Sequence, residues 1–330
     1  MIAIAFKNNA MFLQSMRQRM RPATVLAFAV LSFIIIALIF SEVSVRTQRY
    51  IYPNLEIFKN ILNAHLFLLL GLGTWNAFQA AMRERVVGTI EFHRASPTPA
   101  FWQMIGLLFG STCLEWIIFI VTLPVNLVLS LKSSLGISFV LQVYVSVILC
   151  ALLFHMMGLF FGFLRAGKWQ NKKFNFSGIF FFIALYVFSH SFLMFDRYSE
   201  GVEARKFSSH LACFSLVGEV YQKSQSNIIY YENKKYSTNN RYYQNKINRQ
   251  PPKSMFYNLE INTLLLQVLL QLPLFYLLGC GIKRFIKLPH APPFSKEQQL
   301  VGLMYIFFIF LADVYIDFVY PKFFPYAGVA

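Results

Sequence analysis

Long uncharged runs, separated by short charged connections, set the rhythm of this chain. Ala23–Phe40 holds eighteen residues without a charge, the length at which a membrane-spanning helix becomes the default reading. Ile61–Met82, Phe101–Leu131 (with one charge, Glu115), Ser133–Leu164, Phe174–Phe195 and Ile261–Ile282 repeat the pattern. As one helix, Phe101–Leu131 would run about 46 Å, more than a bilayer core needs. It must tilt, bend near Pro124 or extend beyond the hydrocarbon. A seventh run, Leu300–Phe318, contains Asp313 and Asp317 on one helical face, and reads as a further span or a surface helix. Ahead of them all, Phe6, Ala10, Leu13, Met16 and Met20 recur at helical spacing, with Lys7, Asn8, Asn9, Gln14 and Gln18 on other faces. That pattern predicts an amphipathic helix lying in the membrane interface. Ala23–Phe40 is too long for a signal-peptide core and no small-x-small site follows it, so it is expected to stay as the first span.

The expected fold is therefore all-α: an integral membrane protein with six core transmembrane helices, a seventh C-terminal helix and an N-terminal interfacial helix. Residues 1–22 form the interfacial helix. Residues 23–195 hold spans one to five, with a charged connection at 83–99. Residues 196–258 form a loop on the far side, partly flexible, and 259–330 hold the last two helices.

Composition removes the soluble alternatives. Of 330 residues, 57% are hydrophobic, 18% aromatic and only 13% charged, about half the charged share of a soluble domain. The net charge of +16 is read as topology rather than nucleic-acid binding. With the N-terminus in the cytoplasm, short inner segments carry fifteen basic residues, among them Arg17, Arg19, Arg83, Arg94, Arg165, Lys283 and Lys287; the outer ones carry five, Arg46, Arg49, Lys59, Lys132 and Lys322. This bias places the N-terminus inside and the protein in the cytoplasmic (inner) membrane, against lipid. Asp196–Asn258 carries ten basic and five acidic residues, but loops of that length translocate largely regardless of charge. Within it, Leu211, Phe214, Val217 and Tyr221 predict a short amphipathic helix, and 225–253 is rich in Asn, Tyr, Gln and Lys.

Familiar catalytic patterns are missing. Cys113, Cys150, Cys213 and Cys280 stand far apart, with no CxxC spacing, and read as small buried hydrophobes. Gly162-Phe-Leu-Arg-Ala-Gly-Lys-Trp169 approaches a phosphate-binding loop, but Trp169 stands where Ser or Thr is required, and the stretch ends a membrane helix. No catalytic, cofactor-binding or metal-binding residue is assigned. Polar groups inside spans are costly and so become candidates. Glu115 either lines a pathway or subunit interface or is a structural carboxylate satisfied by neighbouring helices. His155 and His190 read as satisfied polar residues or as proton-handling groups.

The densest polar feature is Arg83-Glu-Arg-Val-Val-Gly-Thr-Ile-Glu-Phe-His-Arg94, stopped by Ser96-Pro-Thr-Pro99. Physically it is a short helix or helix-turn with a proline stop, tied to two spans. Its pattern, Arg-Glu-Arg-x-x-Gly-Thr-x-Glu-x-x-x-x-Ser-Pro-x-Pro, resembles the segment between the second and third spans of ABC-2 type transporter permeases. Leu13-Gln-Ser-Met-Arg-Gln-Arg-Met-Arg21 is similar to that family's interfacial helix, and the hydropathy agrees over roughly residues 1–285.

The resemblance implies a half-transporter: a permease without its own ATPase, working as a pair with a second copy or a related permease. ATP would bind a separate ABC ATPase subunit, with no cofactor on this chain. Arg83, Glu84, Arg85, Gly88, Thr89, Glu91 and Arg94 would form the coupling element on which that ATPase docks. The seventh segment and the long 196–258 loop depart from the family pattern. Two other readings stay open on the residues alone: a membrane-embedded enzyme acting on lipid or glycan, using Glu115, His155 and His190, and a non-transporting scaffold or sensor.

Overall fold

The computed structural model describes residues 9–30, 53–95, 97–132, 135–166, 253–256, 259–288 and 292–314, with positions 33, 37, 41 and 220. Helix α1 spans Ala10–Arg19. It starts where the Asn9 side chain accepts a hydrogen bond from the Phe12 amide at 3.2 Å, and Arg17 and Arg19 suit the negative end of its dipole. Residues 22–30 are helical at the start of the predicted first span.

The second span is one long rod rather than Ile61–Met82. It comprises α2 (Pro53–Leu66), a π-helical segment (Phe67–Gly73) and α3 (Thr74–Val87). After Gly88 come α4 (Thr89–Ala95) and then α5 (Ala100–Ser111), α6 (Cys113–Leu131) and α7 (Ile137–Ala166). A two-stranded antiparallel hairpin follows, β1 (Lys253–Phe256) and β2 (Leu259–Asn262), pairing Lys253 with Asn262 and Phe256 with Leu259. The last described elements are α8 (Thr263–Lys287) and α9 (Lys296–Val314). Ser295 and Gln298 open α9 with a reciprocal capping box, at 3.3 and 3.0 Å.

Among the described residues, four helices are long and apolar enough to cross a membrane: Asn54–Val87, Cys113–Leu131, Ile137–Leu164 and Gln267–Lys287. Their outward faces fit that reading. On α6 Ile117, Ile120, Val121, Val125, Val128 and Leu131 are all exposed, a continuous apolar surface that water would not tolerate on a soluble monomer. The protein is a polytopic helical membrane protein.

The helical fold expected from the sequence carries one short addition: the β1–β2 hairpin occupies the boundary where the far-side loop was expected to pass into the sixth span. The long third run is broken, but not at Pro124, which lies inside α6. The break falls at Thr112. The Ser111 and Thr112 hydroxyls both donate to the Leu108 carbonyl, at 3.1 and 2.8 Å. Side chains thus take over an acceptor that the helix would have used, and the ladder resumes with the Trp116 amide on the Thr112 carbonyl at 3.2 Å. The fifth span Phe174–Phe195, His190 and most of 196–258 lie outside the described residues.

The helices order themselves by direction. α2 runs antiparallel to α6, with Asn54 bonded to the Lys132 carbonyl and His65 to Thr122. α3 runs parallel to α7, and α8 also runs parallel to α7, with Gln267 bonded to Ser146 and Gly279 beside Met156.

Among the described residues, two large apolar cores fill the bundle, beside a small cluster of Ile57 and Ile61. One, towards the far end, gathers Leu55, Phe58, Leu62, Leu69, Phe119, Val140, Tyr144 and Val147. The other, towards the elbow, gathers Ala77, Ala81, Met104, Leu107, Leu159, Phe163, Ile282 and Phe285.

Candidate functional site at the helical elbow

The elbow begins where α3 stops. Gly88 adopts φ 80° and ψ 7°, the left-handed conformation that ends many helices and that a side chain resists. Nothing lies within 4 Å of a Cβ built there, so backbone conformation, not space, demands glycine. The Thr89 hydroxyl donates to the buried Glu84 carboxylate and approaches the Glu84 carbonyl at 3.2 Å. The Glu91 amide then bonds the Gly88 carbonyl at 3.1 Å and starts α4. Pro97 and Pro99 stop it, and Pro99 caps α5 through the Gln103 amide at 3.1 Å.

Two arginines fasten the elbow to the bundle. Arg85 donates to the Phe163 carbonyl at the end of α7 and lies over the Phe285 ring, 5.5 Å from its centroid. Arg94 donates through Nε to the Ile286 carbonyl at 2.6 Å and through Nη1 to Glu91 at 2.5 Å. Ile90 is buried beneath α4. Arg83 reaches the N-terminal helix, bonding Gln18 at 2.8 Å.

All seven residues of the expected coupling element therefore share one end of the molecule, but in different roles. Glu84, Arg85, Thr89 and Arg94 mainly hold the elbow's own shape. Arg83, Gly88 and Glu91 face outward. So do two residues the motif passed over: Val86 and Val87 are 53% and 66% exposed. Their signal was present as two adjacent β-branched side chains in the last turn of a charged helix, where no burial face calls for them. The basic residues Lys283, Arg284 and Lys287 close α8 at the same end.

Glu115 and His155 belong elsewhere, near the junction of the two cores. Glu115 is fully buried; its Oε1 accepts from Arg19 Nη2 at 2.6 Å and Asn76 Nδ2 at 2.5 Å. His155, also fully buried, donates from Nε2 to the Leu69 carbonyl at 2.8 Å, and Trp116 meets its ring edge-on at 5.8 Å. The two groups make no hydrogen bond to one another among the described residues.

Several buried polar groups escaped the sequence reading. His65 bonds Thr122 at 2.7 Å and packs on Phe119. Asn126 bonds Tyr144, and Gln267 bonds Ser146. Each is a single uncharged residue in an apolar run, and its partner lies on another helix. Among the described residues no three His, Cys, Asp or Glu side chains gather where they could hold a metal ion. Cys113, Cys150 and Cys280 are free thiols, the first two buried.

Fold and site together define a helical, polytopic membrane protein with a rigidly anchored elbow at one end. No family model, curated protein or solved structure matches the chain.

Proposed function

We propose that this chain is the membrane-spanning permease subunit of an ATP-binding-cassette exporter, and that a separate ATPase subunit docks on residues 83–99. The observation that carries the reading is the exposed Val86–Val87–Gly88 corner with Glu91 beside it, held on a base clamped to α7 and α8 by Arg85 and Arg94. An exposed apolar pair amid arginines and glutamates suits a protein cleft better than lipid or water. Because the clamps bond backbone carbonyls at the ends of two spans, a push on the corner is delivered to both rods.

The elbow end also gathers Arg83, Arg85, Arg94, Lys283, Arg284 and Lys287, against Lys59 and Lys132 at the far end. This favours a cytoplasmic elbow and N-terminus in the inner membrane. The permease has no ATPase site of its own. Two permeases, copies or relatives, enclose the path, and ATP-driven closure of the partner supplies the preference for one conformation.

The test is affinity purification in mild detergent, with mass spectrometry and an ATP-hydrolysis assay. Wild type is compared with Val86→Asp/Val87→Asp/Glu91→Ala, which alters the outward corner and leaves buried Glu84 intact. Recovery of an ATPase with the wild type, and its loss from an equally monodisperse variant, is the expected result. A well-folded wild type that recovers no ATPase, or a variant that retains it fully, would sink the proposal.

A further inference from the structure

The π-helical segment Phe67–Gly73 sits in the middle of the longest rod among the described residues. A π turn holds an extra residue and loosens the regular ladder; such turns are rare and frequently sit at functional sites. One added residue also rotates everything beyond it by about 100°. The rod changes partners at this point. On the far side α2 packs on α6, through His65–Thr122 and Asn126 near the Phe58 carbonyl. On the elbow side α3 packs on α7, where a Cβ at Gly158 would lie 2.5 Å from the Thr74 carbonyl oxygen and one at Gly162 would strike the Phe78 carbonyl. Backbones so close leave α3 and α7 no room to slide.

Neighbouring rods carry a break or an internal proline at about the same level. The α5–α6 break at Thr112 lies one turn from Trp116, whose ring meets His155. In α8, Pro273 lacks the amide that would bond the Leu269 carbonyl; it sits between Gln271, which bonds Cys150, and Gly279, which faces Met156. α7 passes through this level as a helix without a proline, and it carries His155 there. The imidazole occupies the space that Gly73 leaves, where a Cβ would overlap its Nε2, and bonds the Leu69 carbonyl at 2.8 Å inside the π turn.

We infer that Phe67–Gly73 is a hinge between the elbow half and the far half of the bundle, and that the His155–Leu69 bond through the gap at Gly73 is the latch holding it in the conformation described. The inference rests on packing and needs no ATPase, so it stands or falls apart from the transporter reading.

Spin labels test it in the isolated chain, in lipid nanodiscs, with native cysteines changed to alanine. One pair spans the hinge, at the exposed positions Leu131 and Leu288; a control pair, Phe101 and Leu288, stays within the elbow half. The expected result is one narrow distance in the wild type, a second population across the hinge in His155→Leu, an unchanged control pair, and return to one distance in His155→Gln, whose amide can again donate. An unchanged hinge-spanning distance in His155→Leu overturns the latch, as does a His155→Gln variant that behaves like His155→Leu. Equal broadening of both pairs overturns the hinge, because it reports general loss of packing. If His155→Leu does not insert, Gly73→Ala replaces it, since its methyl evicts the imidazole; a single unchanged distance there is equally fatal.

Discussion

Glu115 is a carboxylate with no exposed surface, and Arg19 reaches it from a helix that precedes the first span. Taking such a pair out of water costs several kcal/mol per ion, so removing one partner is worse than removing both. Glu115→Ala should lower stability by about 3–5 kcal/mol, while Arg19→Met with Glu115→Met should recover most of it. Thermal unfolding of the four corners of that cycle in one detergent measures this, and additive losses would refute the coupling. Glu115 was legible in the sequence, because one acid in an uncharged run announces itself. Arg19 was not, since nothing in the spacing joins positions so far apart. His65 was missed for the opposite reason: one neutral imidazole in an apolar run carries no distinguishing pattern. Gly88 stood out on its motif, but its left-handed backbone is what makes it irreplaceable there.

At the level of elements, the first helix shows how a periodic pattern can be right and incomplete. Its predicted apolar stripe holds Ala10, Leu13, Met16 and Met20, yet the edge buried in protein is Asn9, Met11 and Ser15. That edge runs along α5, where Asn9 bonds the Trp102 carbonyl and sits against Gly106, and Phe12 and Ser15 sit against Gly110. Of the stripe, Ala10 is exposed and Leu13, Met16 and Met20 are only half-buried, so the hydrophobic pattern alone could not identify the packing edge. Small residues decide close approach again between α3 and α7. Gly162→Leu should destabilise the bundle by about 1–3 kcal/mol or more, as overpacking does. Gly136→Leu, with open space around its Cβ, should leave the melting temperature near that of the wild type. Equal melting temperatures for the two variants would refute close packing at Gly162.

For the whole molecule, the directions of α2–α3, α6, α7 and α8 put Leu131 and Leu288 at opposite ends of the bundle. Under the proposed orientation, a cysteine at Leu131 should react with a membrane-impermeant thiol reagent on intact cells, and one at Leu288 only after permeabilisation. The reverse pattern would invert the topology and remove the elbow from any cytoplasmic ATPase. By itself the sequence determined the solvent this chain lives in, the approximate position of the apolar helices among the described residues and the charged connection between two of them. Those properties are local sums of hydropathy and charge, and they survive without knowing which helix touches which. Only the tertiary structure decided where the long runs break, which elbow residues turn inward, and that His155 lies against the π turn. Those outcomes depend on pairings between helices distant in the chain, where a missing Cβ or one carbonyl left over from a helix selects the partner.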